Sequence, residues 1–234
     1  MRFPRSCGTL VHPTSFPSKY GMGDLGYEAE KFIDFLVRTD QTIWQVLPLG
    51  PTGYGNSPYA SYSAFAGNHY LISPDRLIDK GLLSKEEADT AQLPVKNKAE
   101  YEKSYVLKEE LYKKAAERFY ADMSDQDKKE LSSFKKSNQI WLHDYCLFMT
   151  CLKANDKQPW NEWDQDLAQR KPKAIAKIEK EKKEEVDYQL WLQFEFFNQW
   201  YELKKYANDK GVRVVGDIPI FVDHNSSDVW SNPE

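Results

Sequence analysis

Apolar residues recur along this 234-residue chain with two different periods. Between 28 and 40, Ala29, Phe32, Ile33 and Leu36 fall three and four apart with charged residues between them, the spacing that gathers side chains on one helix face. An amphipathic helix is predicted there, leading into an apolar strand over 42–47. At 84–87 a Ser and a Glu stand three apart, the arrangement of a capping box, so another helix opens at that point. From about 85 to 139 the chain is rich in Lys, Glu, Asp and Ala, with Leu107, Leu111, Ala115 and Phe119 in one helical stripe. A helix over 138–153 brings Trp141, Tyr145, Phe148 and Leu152 to one face, and 159–163 (PWNEW) makes an aromatic turn. Lys and Glu dominate 171–185, which predicts a solvated helix face with pairs four apart and not a binding patch. A long helix over 186–210 presents Leu190, Phe194, Phe197, Trp200, Tyr201 and Leu203, and Gly211 stands where a left-handed cap residue is expected. The β-branched run 212–222 suits a strand buried on both faces of a parallel sheet. Helix, glycine and buried strand, in that order, are the units of a β/α barrel.

The strand at 42–47 runs into the most distinctive stretch, 44–68, WQVLPLGPTGYGNSPYASYSAFAGN. Glycines and prolines set its dihedrals, and Tyr54, Tyr59 and Tyr62 each offer a flat apolar face with a hydroxyl at the edge. A pyranose has apolar C–H faces and a rim of hydroxyls, so it stacks on such a ring while Ser, Asn and Tyr groups bond its edge. Tyrosines and glycines in a loop also serve packing and turns, and the residues alone leave both readings open.

Composition narrows the classes. With 41% apolar and 14% aromatic residues the chain can bury a core. Net charge is −4 with both signs abundant, which disfavours binding to nucleic-acid phosphates. No apolar run approaches the roughly 20 residues that span a bilayer, and the first residues lack a signal-peptide core, so a cytoplasmic protein without a membrane partner is expected. Cys7, Cys146 and Cys151 match neither a disulfide framework nor a zinc site. His12, His69, His143 and His224 are scattered, and no metal site is expected. Asn225 opens a glycosylation sequon that carries no weight without a secretion signal.

The 44–68 stretch, with 8–26 (GTLVHPTSFPSKYGMGDLG) before it and 66–72 (AGNHYLI) at its end, closely resembles the signature of the amylomaltases. These are the disproportionating 4-α-glucanotransferases of glycoside hydrolase family 77 in the α-amylase clan. The segment 216–222, GDIPIFV, resembles the first short conserved region of that clan in its amylomaltase form. The resemblance implies an α/β fold, the N-terminal part of a (β/α)8 TIM barrel with a helical insertion subdomain. On this reading 1–74 is the first part of the barrel with the aromatic loop, 75–139 the insertion, and 140–234 the barrel continued.

By the same resemblance Tyr59 stacks on a donor-side glucose, Ser57 hydrogen-bonds it, Tyr54 guides a longer glucan, and Asp217 points into the subsite of the glucose to be transferred. Asn56 stands where many family members carry Asp, which weakens any charge-based role there, and Asp24 reads as a turn or cap residue. The implied partner is an α-1,4-glucan or maltooligosaccharide, with no metal or organic cofactor. Retaining glycoside chemistry needs two carboxyls about 5–5.5 Å apart. The family's nucleophile Asp and acid/base Glu motifs do not occur here, and Asp223-His224 only echoes the former. Both carboxylates are expected beyond Glu234. A complete barrel takes about 250 residues before insertions, so an incomplete barrel, an N-terminal fragment inactive by itself and prone to aggregate, is expected. The alternatives are a non-catalytic α-glucan-binding protein and another hydrolase of the clan, the latter disfavoured by the Gly-Asp-Ile-Pro form of the segment at Asp217.

Overall fold

The computed structural model describes residues 5–232, the side chain of Tyr54 excepted. In chain order its first elements are β1 (Gly8–Leu10), α1 (Tyr27–Arg38) and β2 (Ile43–Gln45). Then come α2 (Pro74–Asp79), α3 (Lys85–Asp89), α4 (Tyr101–Ala121), α5 (Asp125–Ser137) and α6 (Leu142–Ala154). The last are α7 (Gln165–Ala168), α8 (Pro172–Glu181), α9 (Lys183–Asp209), β3 (Arg213–Val215) and α10 (Ser227–Ser231). Contacts group the chain into two compact units. The first comprises the residues up to Leu49, Asn68–Asp122 and Glu195–Ile218; the second comprises Gly50–Gly67, Met123–Phe194 and the residues from Pro219.

The first unit is built on a parallel sheet in the order β1-β2-β3, with Thr9, Trp44 and Val214 side by side in register. Parallel neighbours need a crossover, and α1 supplies the one between β1 and β2. Its predicted face is present: Ala29, Ile33 and Leu36 are wholly buried, and burying each of the two larger chains contributes about 1.5–3 kcal/mol. Trp44 is the centre of this core. Its ring lies 5.7–5.9 Å from those of Phe32 and Phe16 and 6.4 Å from that of Trp200, and its indole N–H donates to the Val11 carbonyl at 2.9 Å. The capping box of α3 forms as expected, Ser84 and Glu87 each accepting the other's backbone N–H. The α4 stripe includes Leu111, Ala115 and Phe119 as expected, but it also buries Ser104 and Lys108.

Two expectations are corrected in this unit. Tyr201 does not join the buried face of α9; it is 57% exposed. The run 212–222 is not one strand buried on both faces: β3 ends at Val215, and Val215 and Ile218 are exposed. The reason is topological. β3 is an edge of the sheet, and a β-branched run becomes a doubly covered strand only where a neighbour pairs with it and a second layer lies over it.

The second unit centres on Leu147, Phe148, Cys151, Leu152, Trp163, Leu167 and Trp230. Burial of Tyr145, Phe148 and Leu152 on α6 agrees with the predicted face. The helix is buried nearly all round, because Leu142, Cys146, Leu147 and Cys151 are covered too. Helix α8 buries none of its residues, as its charge pattern predicts.

Candidate functional site

Reactive groups of a β/α barrel collect at the carboxyl ends of the strands. In the first unit Leu10, Gln45 and Val215 lie side by side at those ends. The ladder runs one step further, with the Val11 N–H donating to the Gln45 carbonyl at 3.0 Å and the Val46 N–H to the Val215 carbonyl at 2.9 Å. Two residues past β1 and β3 come His12 and Asp217. Asp217 is exposed, and its Oδ1 accepts the Ile218 N–H at 2.8 Å. An acid in a strand buried on both faces would carry a desolvation cost; because the strand stops at Val215, this one does not.

His12, one of the scattered histidines of the sequence, is a further polar side chain at this edge. Its Nδ1 lies 2.9 Å from the Thr14 hydroxyl oxygen, and burial lowers its pKa against the opposing effect of a hydrogen bond to the Pro48 backbone. The available signal was positional, two residues beyond a strand that begins a βαβ unit.

Asp24 serves structure, as its place in a turn suggests. Its Oδ1 accepts the N–H of Gly26, the residue preceding α1, at 3.0 Å, and its Oδ2 meets Lys108 Nζ at 3.2 Å. Lys108 is completely buried and also donates to the Tyr70 carbonyl at 3.0 Å. Burial raises the pKa of Asp24 and lowers that of Lys108, and their mutual attraction opposes both shifts.

The aromatic loop belongs to the second unit, where it folds back on itself. Thr52 and Ser61 form an antiparallel bridge, the Gly53 N–H donates to the Ala60 carbonyl at 2.8 Å, and the Tyr62 N–H donates to the Pro51 carbonyl at 3.0 Å. At the tip, Gly55 and Asn56 take left-handed conformations with φ of 75° and 55°. Glycine adopts that region freely, and Asn tolerates it better than most residues. Ser57 is half-buried, and its hydroxyl oxygen accepts the Tyr59 N–H at 3.3 Å. Tyr59 is 48% exposed, so part of its ring faces solvent. Tyr54 lies in a short 3-10 turn, Tyr54–Asn56, and its side chain falls outside the described residues. Tyr62, which the sequence groups with these tyrosines, packs instead at 6.1 Å from the Phe148 ring.

The Asp223-His224 echo has structural partners in the same unit. The Asp223 carboxylate accepts the Asn225 N–H at 2.8 Å, and the His224 ring stacks on Trp160 at 5.2 Å. Among the described residues no group of three or more His, Cys, Asp or Glu is placed to hold a metal ion, and no helix is long and apolar enough to cross a membrane.

A family model described as 4-alpha-glucanotransferase matches residues 11–234. The 4-alpha-glucanotransferase of Synechocystis sp. is 44% identical over 230 residues, which cover 98% of this chain and 46% of that protein. That of Thermus thermophilus is 42% identical over 234 residues, covering 100% of this chain and 46% of its own. Among solved structures, an amylomaltase from Streptococcus agalactiae in complex with acarbose has a TM-score of 0.93 at 36% identity, over 98% of this chain and 46% of that one. This chain spans about half the length of the curated relatives it matches.

Proposed function

This chain belongs to the 4-alpha-glucanotransferases of glycoside hydrolase family 77, and on that premise we propose that it forms the glucan-receiving part of such an enzyme. The whole enzyme cleaves an α-1,4 bond, holds the glycosyl group on a carboxylate as a covalent intermediate, and passes it to the 4-hydroxyl of glucose or a maltodextrin. Retention follows from two displacements, which require a nucleophile and an acid/base about 5–5.5 Å apart. The 234 residues carry neither of the family motifs for that pair, so this chain supplies binding and not bond cleavage.

Tyr59 stacks on a donor-side glucose, and its solvent-facing ring supports that role. Ser57 accepts the Tyr59 N–H through its oxygen, so the hydroxyl proton is available to a sugar oxygen. Asp217, exposed just past β3, holds hydroxyls of the glucose to be transferred, and Tyr54 guides a longer chain. The 75–139 segment is an insertion into the barrel. The free thiols of Cys7, Cys146 and Cys151 support a reducing cytoplasmic setting.

The observation that carries this reading is the 0.93 TM-score to the amylomaltase solved with acarbose. Titration of this chain with acarbose, followed by calorimetry, is expected to show binding that Tyr59→Ala weakens about tenfold, or about 1.4 kcal/mol. No binding at millimolar acarbose would overturn the reading. Incubation with maltotriose is expected to release no glucose, and formation of glucose with longer maltodextrins would refute the absence of catalysis. Binding without turnover is equally what a non-catalytic α-glucan-binding protein would show. Fusing the chain to the second half of the Streptococcus agalactiae enzyme separates the two, since only a transferase half regains activity.

A further inference from the structure

Loop 50–67 is closed by bonds within itself, and its returning arm is also held by two segments distant in sequence within the second unit. Gln193, wholly buried in α9, spends both ends of its amide on one glycine. Its Oε1 accepts the Gly67 N–H at 2.8 Å, and its Nε2 donates to the Gly67 carbonyl at 2.9 Å. Helix α10 supplies the other anchors. The Ser227 N–H and hydroxyl donate to the Tyr62 carbonyl at 2.8 and 3.1 Å, and the Asp228 carboxylate accepts the Ala64 N–H at 3.0 Å. Backbone groups at 62, 64 and 67 thus find in side chains and a helix end the partners that a neighbouring strand would otherwise supply.

These anchors bear on binding because a sugar stacks more tightly on a ring whose plane is set beforehand. A loop that must order itself on binding loses part of the contact energy to entropy. The arm held by Gln193 and Asp228 joins, through the Thr52–Ser61 bridge and the Gly53–Ala60 bond, the turn that carries Ser57 and Tyr59. Neither anchor belongs to the turn itself.

We propose that Gln193 and Asp228 are positioning residues for the glucan loop, acting on the sugar through the backbone that presents Ser57 and Tyr59. The proposal rests on the reading that this loop receives an α-glucan. It is tested in the full chain with Asp228→Ala, Asp228→Asn and Gln193→Leu, by acarbose calorimetry, amide hydrogen exchange and thermal unfolding. Asp228→Ala is expected to weaken acarbose five- to tenfold and to speed exchange over residues 60–67, with the unfolding midpoint and exchange in the first unit unchanged. Asp228→Asn keeps an acceptor oxygen for the Ala64 N–H and is expected to restore both affinity and protection, a recovery that a loss of general stability would not produce. Gln193→Leu is expected to cost more than tenfold. If that buried change prevents folding, the half-buried Asp228 pair decides alone. Unchanged affinity in Asp228→Ala, or an equal loss in Asp228→Asn, would overturn the proposal. Should the wild-type chain fail to bind acarbose, the glucan reading falls. Positioning is then decided by exchange: unaltered protection over 60–67 in Asp228→Ala rejects it, and faster exchange reversed in Asp228→Asn upholds it.

Discussion

Lys108 shows how far one side chain can depart from its sequence appearance. It falls among Leu111, Ala115 and Phe119 on the inner face of α4, yet a lysine in a charged helix reads as solvated. Its partner is Asp24, 84 residues away, and the pair is closed by the Tyr70 carbonyl. A buried ion pair adds little net stability, but removing one member strands the other charge, at about 3–5 kcal/mol. Lys108→Met is therefore expected to lower unfolding free energy by about that amount in urea titrations. Asp24→Asn combined with it is expected to recover a large part of the loss, and equal stability of the single and double variants would refute the stranded-charge account. The turn role of Asp24 could be read from Gly21-Met-Gly-Asp-Leu-Gly26, but its cation could not, because nothing in local spacing ties 24 to 108.

Elements with strong local signals came out close to expectation. The helix predicted over 186–210 is α9, Lys183–Asp209, and it ends at Gly211 with φ of 79°. The Gly211 N–H donates to the Asn208 carbonyl and the Val212 N–H to that of Ala207, both at 2.9 Å, the paired bonds of a Schellman motif. A Cβ on Gly211 would meet no atom within 4 Å, so Gly211→Ala isolates backbone strain. Its expected cost is about 1–2 kcal/mol, read as a lower denaturation midpoint with unchanged slope. Strand β3 failed its local signal instead. Val212, Val214 and Val215 with Ile218 and Ile220 have the composition of a covered strand, but coverage is conferred by neighbours, and the edge position of β3 leaves it with one.

Seen whole, the first unit has a sheet with two unlike faces. Thr9, Trp44 and Val214 are at least half-buried, Trp44 completely, whereas Leu10, Gln45 and Val215, in register on the opposite face, are exposed. Leu10 is 52% and Val215 43% exposed, and both lie on edge strands, an arrangement that favours association between copies. Sedimentation of this chain at rising concentration is expected to show self-association that Leu10→Lys with Val215→Lys diminishes. A monomer at all concentrations would contradict it. Three strands are described where a closed barrel has eight, and the relatives it matches extend to about twice the length of this chain.

The sequence by itself determined the elements whose causes lie within a few residues: the α1 face at three- and four-residue spacing, the capping box of α3, the glycine stop of α9, and a loop distinctive enough to reveal the family. Tertiary structure decided every property that depends on what lies opposite. It chose Lys108 as the partner of Asp24, set Gln193 and Asp228 against the aromatic loop, and left Val215, Asp217 and Ile218 exposed. Short-range signals act through backbone dihedrals and side-chain periodicity, which are written residue by residue. Pairing and burial arise between segments tens to more than a hundred residues apart, so only the folded chain brings their causes together.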